Sequence, residues 1–284
     1  MTAILALSAA AIYGTADFLG GVAARRTSAL AVTVLDHVVG LVLLVGALAL
    51  LPAAHPTPAD LAYGAGAGAL GGVGLILFYR AMAEGAMSVV APVAALFGAA
   101  LPVTVGVALG EHLSVPAFVG IAVAVAAVAL VSREEPAPAG MPARRPRPSE
   151  HPMVLAVLAG LAFGGFFVLL SRTHASAGLW PLLGARVASI ALLGGFSLLT
   201  ARSLQPTPGS RRLIVAAGVG DMLANVLYLL AVRRGLVSLV AVIVALYPAT
   251  TVLLAQVVLG ERLRRVQVAG LALAASAAVL LALA

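Results

Sequence analysis

The chain is 284 residues long, 62% hydrophobic and only 10% charged, with a formal net charge of +7. A mean hydropathy of +1.13 is more than a water-soluble domain of this size hides in a core, so the solvent around most of it is lipid. Cysteine is absent, which excludes disulfides, thiolate metal sites and thiol nucleophiles. The basic residues, all arginine, sit in short loops rather than in a stripe with interleaved aromatics, which argues against nucleic acid as a partner.

Taken in chain order, apolar windows broken by charge, proline or turn residues predict ten membrane-spanning helices. A bilayer core about 30 Å thick needs about 20 residues per helix, and an open strand would leave backbone groups unpaired in lipid. The first window, 3–22, has no basic segment ahead of it, carries Asp17 inside its apolar run and is followed by Arg25 and Arg26. It reads as a retained helix rather than a cleaved signal peptide. Windows 28–51, 61–80, 86–108 and 115–132 follow. The third holds Gly64, Gly68 and Gly72, a small-residue stripe whose expected role is close helix packing. Residues 133–151, rich in Pro, Ala and Arg, read as a flexible polar linker. The remaining windows run 152–171, 179–201, 212–232, 236–258 and 266–284.

The two sets of five are copies of one unit. At a constant offset of 150, residues 77–132 align with 227–282 without a gap, and 19 of the 56 positions are identical. Ala, Leu and Val matches are cheap in so apolar a chain, so rarer types carry the argument. Gly85 falls on Gly235, Ser88 on Ser238, Leu109-Gly110-Glu111 on Leu259-Gly260-Glu261, and Gly120 on Gly270. Upstream, Gly14 falls on Gly164 and Gly68 on Gly218, which extends the duplication over 1–132 and 152–284. A duplicated membrane unit is a transporter signature. Because each unit has an odd number of spans, the second enters the membrane from the opposite side. The expected fold is an all-α integral membrane protein of two inverted five-helix repeats, with a substrate site near the midplane between them.

Ionisable groups deep in a span are costly and face a cavity or a partner. The candidates are Asp17 in span one, Asp36 and His37 in span two, Arg186 in span seven and Asp221 near the centre of span eight. Asn225 and Tyr228 follow Asp221 at i+4 and i+7, so the three share one helix face. That stripe suits the wall of a hydrophilic cavity holding a zwitterion; the plainer alternative is polar bonding between helices. Tyr13 and Asp17 form a similar pair. Asp36 and Arg186 occupy one repeat position with opposite charges; near a pseudo-twofold axis they would meet as a buried ion pair, a lock, a gate or a substrate clamp. His37 reads as a proton shuttle or as a hydrogen-bonding packing residue. Glu111 and Glu261, at equivalent turns, are expected to bond free helix-end amides.

Catalytic signatures are missing. There is no HExxH, GxSxG, P-loop or βαβ GxGxxG pattern, and the five histidines lack metal-ligand spacing. No enzyme chemistry, cofactor or metal is implied. Transport without a nucleotide site is driven by an ion gradient or is passive, and the carboxylates are the candidates for coupling to protons.

Two stretches carry a family resemblance. The run Tyr79–Leu113, with "YRAMAEGAMSVVAPVAALF" and "LGEHL", and "ALYPATTVLLAQVVLGERL" at 245–263 resemble the repeat of the EamA family of the drug/metabolite transporter superfamily. The resemblance implies ten helices in two inverted repeats and secondary transport, often export, of amino acids and other small metabolites. One departure is Pro248, whose first-half counterpart is Gly98, flanked by Pro92 and Pro102; broken-helix geometry is expected to differ between halves. The leading expectation is a plasma-membrane exporter of a small polar metabolite, proton-linked or facilitative. Within transport the rival is efflux of lipophilic cations, with Asp17 as the embedded anion; outside it, a membrane scaffold or lipid-handling subunit.

Orientation is where two signals part. One side of the membrane holds 12 loop arginines and the other Arg172, Arg233 and Arg234, so the positive-inside rule places both termini outside the cytoplasm, whereas the resemblance implies cytoplasmic termini. A C-terminal reporter active only in the extracytoplasmic compartment shows that the arginine bias governs; one active only in the cytoplasm shows that it does not.

Overall fold

Local chemistry sets where the helices of this chain begin and end. The computed structural model describes residues 1–51, 53–131, 151–261 and 265–282, and among these every regular element is helical. The first half comprises α1 (Thr2–Ala24), α2 (Ala29–Leu50), α3 (Pro58–Glu84), α4 (Met87–Ala108) and α5 (Val115–Val131). The second comprises α6 (Pro152–Ser171), α7 (Trp180–Leu199), α8 (Ser210–Val232), α9 (Val237–Val244), α10 (Pro248–Leu259) and α11 (Arg265–Ala282). Among the described residues eight segments are long and apolar enough to cross a membrane, with Val237–Leu259 counting as one. α5 and α11 stand where the sequence predicts spans five and ten, and they pack on each other. The predicted linker, His151 apart, lies outside the described residues.

Thr57 and Asp60 form a reciprocal capping box that starts α3, with Pro58 in the first turn. The Ser28 hydroxyl accepts from the Ala31 N–H at the start of α2. Pro248 has no N–H to give the turn before it, and the span breaks there. Leu246 N–H bonds Ile243 O at 3.1 Å and Tyr247 N–H bonds Val244 O at 3.0 Å, the tighter pattern of a 3-10 turn. At the equivalent Gly98, α4 runs unbroken despite Pro92 and Pro102. The two halves thus differ at this point, as the proline placement leads one to expect.

Packing pairs off under the 150-residue offset. α1 lies along α8 as α6 lies along α3, and α3 crosses α7 as α8 crosses α2. The glycine stripe of α3 is what allows the α3–α7 approach. A Cβ on Gly64 would sit 2.2 Å from Pro181 O, and one on Gly68 would sit 2.0 Å from Ala185 O. At the equivalent crossing, a Cβ on Gly218 would sit 2.6 Å from Asp36 O.

Paired glutamates tie the halves together. Glu111, in the turn after α4, accepts from the N–H groups of Val237 (2.8 Å) and Ser238 (3.1 Å) and from the Ser238 hydroxyl at the start of α9. Glu261, in the turn after α10, accepts from Ser88 N–H (3.2 Å) in the first turn of α4 and pairs with Arg25 at 3.4 Å. Each half caps a helix of the other through the same repeat position, satisfying amides that lipid cannot hydrate. These bonds also set α4 head to tail against α9 and α10. At one end of the bundle Asp60 accepts from the His174 N–H (2.7 Å), and Arg233 donates to His174 O (3.0 Å). At the other end the Thr27 and Thr207 hydroxyls bond at 2.8 Å.

Gly68→Ala places its methyl against backbone that cannot yield, and is expected to cost about 1–3 kcal/mol, read as a lower thermal unfolding midpoint in detergent. Gly46→Ala, with no atom within 4 Å of the added carbon, should leave the midpoint unchanged.

Candidate functional site

Between the halves lies a cavity of about 60 Å³, walled by residues of both. Tyr13 and Asp17 come from α1, His37 from α2, Gly68 and Gly72 from α3 and Gly98 from α4. Phe163, Phe166 and Phe167 of α6, Arg186 of α7, Asp221 and Asn225 of α8, and Tyr247 from the break between α9 and α10 complete its polar and aromatic surfaces. At roughly 15 Å³ per water, that volume holds a handful of waters.

One hydrogen-bonded chain crosses the cavity. Tyr13 Oη donates to Asn225 Oδ1 at 2.8 Å. Asn225 Nδ2 donates to Asp221 Oδ2 at 3.0 Å and to the Asp221 carbonyl at 2.8 Å. Asp221 Oδ2 also takes the Arg186 Nη2 hydrogen in an ion pair whose side chains are 7% and 13% exposed. His37 Nδ1 lies 2.8 Å from Ser189 Oγ, and that hydroxyl donates to Arg186 O at 3.1 Å. With the serine proton so committed, His37 donates through Nδ1–H and keeps a lone pair on Nε2.

The expected Asp36–Arg186 pair does not form; Arg186 pairs with Asp221. The geometry explains why. The guanidinium arm passes over Gly40, whose added Cβ would lie 3.1 Å from Arg186 Nε, one turn beyond Asp36 on α2, and its end reaches α8. There Asn225 already holds the Asp221 carboxylate in place. Asp36 is fully buried, and neither of its oxygens has a hydrogen-bond partner among the described residues. Asp36, His37 and Asp221 each bring a polar atom within 4.8 Å of the others. Arg186 already provides the cation on Asp221, so the cluster reads as an arginine's site.

Of the seven residues singled out from the sequence, Asp17, His37, Arg186, Asp221 and Asn225 line the cavity. Asp36 stands behind it, beside Asp221. Tyr228 is not part of the lining: it is fully buried against α6, where its hydroxyl donates to Phe167 O at 2.8 Å and its ring lies 4.5 Å from that of Phe167. Seven residues of helix rise carry it about 10 Å beyond Asp221, past the end of the cavity. The sequence reading passed over Ser189, Tyr247 and the three phenylalanines. Tyr247 had a signal, since it directly precedes the helix-breaking Pro248. Ser189 and the phenylalanines had none, being ordinary residues of an apolar helix.

Chemically, the site sets Asp17, Asp36 and Asp221 around a single arginine. An unpaired anion cannot be held at such burial without a large cost. Of the three, Asp221 is the one with a basic partner among the described residues, Arg186.

Apolar helices long enough to cross a membrane, packed around a cavity that carries a buried Arg186–Asp221 pair, define a multi-pass membrane protein. The chain belongs to the EamA-like transporter family, whose model matches residues 1–133 and 152–283. A solved crystal structure shares the fold, with a TM-score of 0.77 at 19% identity over 99% of this chain and 96% of that one. No protein of curated function matches the sequence significantly.

Arg186→Gln leaves Asp221 buried without its partner and is expected to lower stability by about 3–5 kcal/mol. Adding Asp221→Asn to it should restore most of that loss, because no lone charge remains. Thermal unfolding of the single and double variants in detergent checks the pairing; losses that only grow in the double variant would disprove it.

Proposed function

We propose that the chain is a secondary exporter of small metabolites bearing a positively charged amine, amino acids among them, in the plasma membrane. The two halves are an inverted repeat and work by alternating access, each rocking against the other about the cavity between them. The observation that carries this reading is the Arg186–Asp221 pair at the wall of a cavity to which both halves contribute. Supporting it, α4 lies head to tail against its repeat counterpart through the Glu111 and Glu261 caps. The links at both ends, Asp60 to His174 and Thr27 to Thr207, are short polar contacts that can be made and broken cheaply, unlike the glycine-packed crossings.

A second reading, efflux of lipophilic cations, is favoured by the aromatic wall of Phe163, Phe166 and Phe167, whose ring faces attract cations. It places the substrate charge on Asp17. Asp17→Asn would then abolish cation binding and leave amino-acid efflux untouched.

The test is metabolite profiling of the medium from cells expressing wild-type protein, the Asp221→Asn variant or neither. Loss of one charged hydrogen bond is worth about 1.5–3 kcal/mol, so export of the amine-bearing substrate should fall roughly 10- to 100-fold in Asp221→Asn. Identical profiles from all three cell lines would overturn the export reading.

A further inference from the structure

We infer that Asp36 is the proton-exchanging carboxylate of this site, and that Arg186 shuttles between Asp221 and Asp36 as a cationic amine binds and leaves. The inference rests on the export reading above and names its coupling residue and substrate class.

The first observation is Asp36 itself. It is fully buried, and both carboxylate oxygens lack a protein partner among the described residues. An anion there would have no donor at all, whereas the neutral acid loses far less on burial. The groups facing it from the packed elements are Asp17 of α1, Tyr79 of α3, Arg186 of α7 and Asp221 of α8, with His37 beside it on α2. The Tyr79 hydroxyl is itself buried and unpartnered, and His37 is engaged with Ser189. Arg186 is thus the one positive charge in the set, and in this conformation Asp221 has it.

The second observation is the path. Arg186 lies over Gly40, one turn from Asp36, where any side chain on α2 would meet its Nε at 3.1 Å. Polar atoms of Asp36 and Asp221 lie within 4.8 Å of each other, a distance that the end of an arginine covers by rotating its last torsions. The backbone need not move. Asn225, itself held by the Tyr13 hydroxyl, keeps hold of the Asp221 carboxylate throughout, so Asp221 stays aimed at the cavity when the arginine leaves.

The exchange balances. Neutral Asp36, the Arg186–Asp221 pair and an incoming R–NH3⁺ become an Asp36–Arg186 pair, an Asp221–ammonium pair and one released H⁺. Net charge is +1 on both sides, and one proton leaves for each amine bound. A neutral or anionic solute cannot replace the arginine on Asp221, so it releases no proton. The substrate class is therefore a cationic amine, free or on an amino acid, with its apolar part against the phenylalanines of α6.

Infrared spectroscopy of the full-length protein in liposomes at neutral pH tests this without a known substrate, through the carbonyl stretch of protonated carboxyl groups. Wild type should show a component that Asp36→Asn removes and Asp17→Asn leaves in place. Asp221→Asn should remove the same component, because the freed Arg186 moves to Asp36 and ionises it. Arg186→Gln should instead add a second component, from Asp221. Survival of that first component in either Asp36→Asn or Asp221→Asn overturns the inference; a separate component that Asp17→Asn alone removes belongs to Asp17. Each variant is checked for a monodisperse size-exclusion profile, and Asp36→Asn and Asp221→Asn read the same component independently, so a folding failure in one leaves the other decisive. If the infrared pattern holds while the metabolite profiles stay flat, the export reading fails and the arginine switch stands; the converse result removes the switch alone.

Discussion

Lipid solvates neither a charge nor an unpaired amide, and the structure follows from that constraint. Backbone groups are satisfied within helices, and helix ends and breaks are where satisfaction runs out. Glu111 and Glu261 answer the need at two such ends by reaching into the other half. The same constraint acts on side chains. A carboxylate in a span is tolerated only with a partner, a proton or a cation, so the group of Asp17, Asp36 and Asp221 around one arginine stays unsettled electrostatically. A cluster kept for stability alone would have matched its charges or replaced them with apolar residues of similar volume.

Much of this was legible in the residues. Hydropathy windows placed the helices closely, because apolar length is a hard requirement in a bilayer. The matched residues of the two copies announced the scaffold: Gly68 and Gly218 allow equivalent helix crossings, and the two glutamates cap equivalent helix starts. Depth in a span and a shared helix face singled out Asp17, His37, Arg186, Asp221 and Asn225, and all five line the cavity. What failed was partner assignment. Equal repeat position suggested Asp36 for Arg186, but an arginine's reach is comparable to the spacing between helices. Its partner is set by which carboxylate a neighbour such as Asn225 holds in range, a tertiary fact with no trace in one sequence. Tyr228 lies outside the lining for a related reason. Sharing a helix face with Asp221 does not mean sharing a cavity, because a face also runs lengthwise into packed regions.

The two copies part company where the site is built. Under the offset, Asp36 stands opposite Arg186, Asp221 opposite Gly71, and Asp17 opposite Phe167. Pro248 breaks one helix, while Gly98 leaves α4 whole. Identical copies would carry arginine at both 36 and 186 or aspartate at both, and like charges repel at close range in a medium of low dielectric. A single buried arginine with a choice of carboxylates therefore needs the symmetry broken at this depth.

That break also decides what moves. The glycine-backed crossings between halves are tight and backbone-limited, so they are suited to pivoting and poorly suited to opening. The links at the two ends of the bundle, the Glu111 and Glu261 caps among them, are polar and replaceable by water. A rocking motion about the crossings would open one end while the other stays linked, and at the pivot the only element required to rearrange is a side chain. Arg186 meets that requirement: it is long, bound at its tip and passes α2 at Gly40, where no side chain of that helix blocks it. Local electrostatic rearrangement at the centre and exchange of polar links at the ends are thereby separable events, coupled only through the occupant of the cavity.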